Sequence, residues 1–209
     1  MLAALRNNLL LRSRPPLSVN ATAGNSVTAT SATVTFSTSA PKLVIYLSVD
    51  CNQTPVVSVT SPNLTWIART NINSGVQGIY TYYAIAMVPL TNEVITAVNT
   101  LSGFTVLDVI AIAGANILSP FDGSALTHTG GSSDPLSITT ANPNTIILGS
   151  FKVPGASPTA GSGFTQYGAA ASFHCSEYKL VTTQQSALSV GMTTGTGTAS
   201  RTVVDAIKR

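Results

Sequence analysis

Phe104-Thr105-Val106-Leu107-Asp108-Val109-Ile110-Ala111-Ile112-Ala113 is a nearly unbroken apolar run. It is too short for a membrane helix, which needs ~20 apolar residues. Its β-branched content and the turn formers around it mark a strand at the centre of a sheet, apolar on both faces. The segments on either side carry the same signature. Lys42 to Val49 reads as a strong strand ended by Asp50-Cys51-Asn52. Leu64 to Thr70 alternates, with Leu64, Trp66 and Ala68 on one face and Thr65, Ile67 and Arg69 on the other. Gly78 to Val88 is a long tyrosine-bearing strand, and Glu93 to Asn99 follows Pro89.

Further strands are expected at Val27–Thr30, Thr33–Phe36, Thr145–Phe151, Phe173–Leu180, Ala187–Met192 and Ser200–Ile207. Between Gly114 and Pro143 the turn pairs Ser119-Pro120, Asp122-Gly123, Gly130-Gly131 and Asp134-Pro135 predict long loops, with one short strand at Leu136–Ile138. No helical segment separates these strands, which excludes βαβ folds. Each strand offers an apolar face that needs covering, so the expected fold is all-β: an antiparallel two-sheet sandwich, jelly-roll-like, with a closed barrel as the alternative.

Composition agrees. Of 209 residues, 29 are Thr and 24 are Ser, while only 8% are charged, against about 25% in ordinary soluble domains. Such a chain favours strands over helices and is too apolar for disorder. Arg6, Arg12 and Arg14 precede any acid, and the other seven basic residues balance seven acids, so the whole excess of +3 sits at the N-terminus. A neutral body speaks against a nucleic-acid binder, which wants a basic face. A hydroxyl-rich, nearly uncharged exterior suits a homo-oligomer or assembly subunit, and an ordinary secreted sandwich equally.

Residues 1–17 stand apart from the sandwich domain at 18–209 as an N-terminal arm. Leu2, Leu5 and Leu9 recur at helical spacing, so a short amphipathic helix ordered by docking is one reading and a frayed tail the other. In the first reading Leu2, Leu5, Arg6, Leu9, Arg12 and Arg14 bind a partner. No secretory leader, membrane span or disulfide framework is read, and Cys51 and Cys175 are expected to be free, buried thiols.

No motif for catalysis, cofactor or metal binding stands out. His128 and His174 are the only histidines; His128 is expected in a polar loop, and His174 exposed or satisfied. Glu93 and Glu177 are the only glutamates, a thin basis for a glycosidase pair, and several aspartates are assigned to turns. Trp66 is expected to anchor the core. Tyr82 and Tyr83 are consecutive, so one is expected to face outward as an interface or glycan contact.

Several stretches, taken in order, resemble a β-sandwich family of tailed-bacteriophage virion proteins and some bacterial surface proteins. They are Leu64-Thr65-Trp66-Ile67-Ala68-Arg69, Tyr80-Thr81-Tyr82-Tyr83-Ala84, Val109-Ile110-Ala111-Ile112-Ala113-Gly114, Ser119-Pro120-Phe121-Asp122, Ser176-Glu177-Tyr178-Lys179 and Asp205-Ala206-Ile207-Lys208. The resemblance covers most of residues 18–208 and carries no diagnostic active site. It implies a non-enzymatic virion structural protein of fibre, neck, tail or capsid-decoration type, assembled in the host cytoplasm, attached to other virion proteins through its arm and oligomeric. The alternative is a carbohydrate-binding module that recognises a host-surface glycan.

Overall fold

In the computed structural model, residues 15–52, 55–74, 77–129, 135–153, 157–171, 173–193 and 201–209 are described. The arm residues Leu2, Leu5, Arg6, Leu9, Arg12 and Arg14, with their expected helix, lie outside them. The described chain is all-β. The strands are β1 (Ser18–Phe36), β2 (Leu43–Asn52), β3 (Val56–Thr60), β4 (Ile67–Ser74), β5 (Gln77–Ala86), β6 (Glu93–Ala113), β7 (Leu126–Thr129), β8 (Leu136–Ile138), β9 (Thr145–Lys152), β10 (Thr165–Ala171), β11 (His174–Val181), β12 (Leu188–Val190) and β13 (Arg201–Lys208).

The N-terminal half builds one sheet in the order β1-β6-β2-β5-β4, with β3 also on β6. The C-terminal half builds the second, β10-β11-β9-β13-β7, and β8 pairs with β12 in a small third sheet. All the pairings are antiparallel. The expected two-sheet sandwich is therefore the fold.

The apolar run Phe104–Ala113 is the second half of β6. It sits between β1 and β2, and residues 106–112 are all fully buried. Alternation along β2 explains how one strand serves two cores. Val44 and Tyr46 point to the seam between the sheets, joining Ile110, Ile112, Ile146, Leu148, Tyr167 and Ile207. Leu43, Ile45, Leu47 and Val49 point the other way, into a cluster with Ala32, Val34, Phe36, Ile95 and Ala97. Beyond the second sheet, Phe151, Val153 and Val204 pack under β8 and β12.

The structure joins segments the sequence pattern separates. Val27–Thr30 and Thr33–Phe36 are one strand with a register shift between Ala29 and Ser31, and Glu93–Asn99 runs on into Phe104–Ala113. A straight strand of that length would span roughly 70 Å. Both ends of β6 nevertheless lie beside the start of β2. Val44 pairs with Ile112 and Leu43 with Ala86, while the Thr38 N–H bonds the Leu90 carbonyl just ahead of Glu93. β6 therefore folds back near Thr100–Gly103, and its first half, with β1 and β3, covers the cluster over β2.

Candidate functional site

The acidic residues are placed inside. All six described acidic side chains are buried: Asp50, Glu93, Asp108, Asp122, Glu177 and Asp205. Asp108 and Asp205 lie within the strands expected around them, and Asp50, expected where its strand ends, lies inside β2. Isolated charge within an apolar strand was the available signal: Val49-Asp50-Cys51, Leu107-Asp108-Val109, Phe151-Lys152-Val153 and Val204-Asp205-Ala206.

Asp50, Asp108 and Lys152 meet in the seam, together with His174 and Ser176. Asp50 on β2 and Asp108 on β6 reach across from one sheet; Lys152 on β9 and His174 and Ser176 on β11 reach from the other. Lys152 Nζ donates to Asp50 Oδ1 at 2.5 Å. His174 Nδ1 lies 3.0 Å from Asp50 Oδ2, and its Nε2 lies 2.7 Å from Asp108 Oδ2 and 3.0 Å from Ser176 Oγ. The Ala169 N–H donates to Asp108 Oδ1 at 2.7 Å. Gly24, Asp108's ladder partner, and Gly168 at φ +86° leave room for that carboxylate; a Cβ at either position would collide with it.

Burial alone would push the His174 pKa down, but Asp108 and Asp50 on its two ring nitrogens outweigh burial and lift it to about 9. The ring is then an imidazolium, and both nitrogens donate. The Asp50 and Asp108 carboxylates thus meet Lys152 and the imidazolium directly, as buried charges require. Ser176, His174 and Asp50 have the spacing of a nucleophile, base and orienting acid. Two features work against that use. A charged ring cannot accept the serine proton, and the Ser176 side chain is fully buried, out of a substrate's reach. Among the described residues no group of three or more His, Cys, Asp or Glu is arranged to hold a metal ion.

A second cross-sheet contact lies between β4 and β13. Arg69 forms a fork on Asp205, Nε to Oδ2 at 2.8 Å and Nη2 to Oδ1 at 3.0 Å, and Nη2 also donates to the Gly123 carbonyl at 2.7 Å. Its guanidinium carbon lies 3.9 Å from the centroid of the Phe121 ring. Burial raises the Asp205 pKa, and Arg69 pulls it back down.

The other expected residues are separated. Tyr82 packs into the cluster over β2, while Tyr83 meets Phe121 edge-on at 4.9 Å. Both are half-buried, so neither is the freely outward ring expected, because both faces of β5 are covered. Trp66 lies just before β4, partly buried against the core, and its Nε1 donates to Ser61 Oγ at 3.0 Å. Its expected face-mate Ala68 is exposed. His128 lies on β7 opposite Thr202 rather than in a loop. Glu93 accepts both the backbone N–H and the side-chain amide of Asn63 on the first sheet. Glu177, on the second, accepts the Gly161 N–H at 2.7 Å, and burial lifts its pKa to about 7. Cys51 and Cys175 are free and buried, as expected.

The folded-back half of β6 builds a different surface. Its outward residues form rungs across three strands: Ser31–Val98–Ser58, Thr33–Thr96–Thr60 and Thr35–Val94. None is charged, and Val94 is well exposed. Set against known proteins, the chain matches no protein family, no curated protein and no solved structure.

Proposed function

We propose that this chain is a non-enzymatic structural subunit that works by association. The observation that carries the reading is the three-stranded face just described: an array of Ser, Thr and Val without a charge, in a chain that keeps all its described acids inside. Solubility of a free monomer ordinarily rests on surface charge. A face of this kind suits coverage by another subunit, and a second copy of the chain is the simplest cover.

The resemblance to tailed-phage virion sandwiches supports reading the assembly as a phage particle, with the chain as a decoration, fibre or neck-type subunit attached to other virion proteins by residues 1–17. Light scattering of the purified chain across a concentration series tests association. The expected result is a defined oligomer that Thr96→Lys reduces to monomer; a wild-type monomer at all concentrations overturns it. Removing residues 1–17 is expected to leave the sandwich folded and to abolish attachment to the particle. Glycan binding by a monomeric wild type, lost in Tyr83→Ala, would replace this reading with the carbohydrate-binding one.

A further inference from the structure

We propose that Lys152 and Asp50 condense, within the folded chain, to an amide that joins β9 covalently to β2. The two residues are 102 positions apart in sequence and lie on opposite sheets, so the bond would tie the N-terminal half of the sandwich to the C-terminal half.

The geometry supplies what the reaction needs. Lys152 Nζ is 2.5 Å from Asp50 Oδ1, closer than the ~2.7–2.9 Å of ordinary charge-assisted bonds. The amine nitrogen thus lies against the carboxyl group whose carbon it must attack. Holding two reactants in such contact makes the step unimolecular and removes the entropic cost of encounter. The side chains of both residues are 2% exposed, so bulk water is kept from reversing the reaction.

His174 sits where a proton carrier belongs, its Nδ1 3.0 Å from Asp50 Oδ2, the oxygen that must leave. Asp108 holds the other ring nitrogen and is a positioning residue for the imidazolium.

The step balances without any outside reagent. Lys152 first passes a proton to the Asp50 carboxylate along their hydrogen bond, which frees the Nζ lone pair to form the bond to Asp50 Cγ, and the Cγ–Oδ2 bond breaks. Oδ2 departs as water with two protons. One comes from His174 Nδ1, which is recharged from the amine, and the other comes from the amine itself. Of the three ammonium protons one stays on the amide nitrogen. Four buried charges become two, the His174–Asp108 pair, so condensation also relieves the cost of keeping Lys152 and Asp50 ionised away from water.

Intact mass of the full-length chain under denaturing conditions tests this, followed by proteolytic mapping. The expected mass is one water below that of the sequence, with a branched peptide joining the segments of Asp50 and Lys152. Lys152→Arg, which keeps the positive charge, is expected to restore the full mass. His174→Gln is expected to lower the cross-linked fraction severalfold in freshly refolded protein. Full sequence mass in the wild type overturns the proposal. So does a lost water that maps elsewhere, for instance to dehydration at Asp122-Gly123. Mapping of the wild type decides even if Lys152→Arg does not fold. A His174→Gln chain cross-linked as fully as wild type overturns the role given to the imidazole.

Discussion

The seam between the two sheets and the outer face of the folded-back β6 divide the chain's polarity in opposite ways. The seam holds Asp50, Asp108, Lys152 and His174, all fully buried or nearly so, where a sandwich ordinarily packs aliphatics alone. The outer face carries hydroxyls and valines, where solvent ordinarily selects charge. The difference separates two kinds of specification. A buried charge tolerates only an arrangement that pairs it, so the seam fixes how the sheets lie on each other. An uncharged face leaves orientation open and asks for a partner.

The largest expected effect comes from breaking the seam. Asp108→Ala removes one of two carboxylates from a buried imidazolium and orphans the Ala169 N–H. Urea unfolding is expected to show a loss of about 3–5 kcal/mol. Arg69→Ala breaks the other cross-sheet contact but is expected to cost less, about 1–3 kcal/mol. Its partner Asp205 already has a raised pKa and can take up a proton, and the Arg69 side chain is 18% exposed, so water shares the site. Equal losses for the two variants would erase the distinction between a sealed and an edge contact.

Stability is next expected to fall with rising pH. The His174 pKa rises on folding from 6.5 to about 9, so its contribution is complete below pH 6.5 and is lost as pH climbs through about 9. Glu177 has the same sign at a lower window: folding raises it from 4.5 to about 7, so stability is lost between those values as the buried carboxyl ionises. Urea midpoints measured across this range are expected to decline in two stages, the upper absent in His174→Gln and the lower absent in Glu177→Gln. The smallest effect is expected on the outer face. Val98→Glu, in the rung with Ser31 and Ser58, should change the unfolding free energy by about 0.5 kcal/mol or less, as surface substitutions do, while lowering the mass seen by light scattering.

How far these regions were legible in the sequence follows from the physics of each. Strands declare themselves through local alternation, so the β2, β5, β9 and β13 patterns sufficed for an all-β sandwich. The fold-back of β6 is fixed by where the connections around Ser37–Lys42 and Met87–Asn92 bring its ends, a tertiary constraint that leaves no local trace. The Asp50–Asp108–His174–Lys152 cluster left half a trace. Asp50, Asp108 and Lys152 each break an apolar stretch, a position that demands a partner, whereas His174 opens a polar strand, and which four converge depends on the register of two sheets. Tyr82 and Tyr83 show the converse: alternation puts them on opposite faces, and only the structure shows that both faces are covered.

The most direct test is to titrate the His174 ring by NMR in a chain whose other histidine, His128, is replaced, so that a single imidazole is observed. An imidazolium held by Asp108 in the seam is predicted to stay charged through neutral pH, with a midpoint well above 6.5, and near 9 in Lys152→Arg, where Asp50 keeps its carboxylate. A midpoint at or below 6.5 would contradict it, since burial without the facing carboxylates moves a histidine that way.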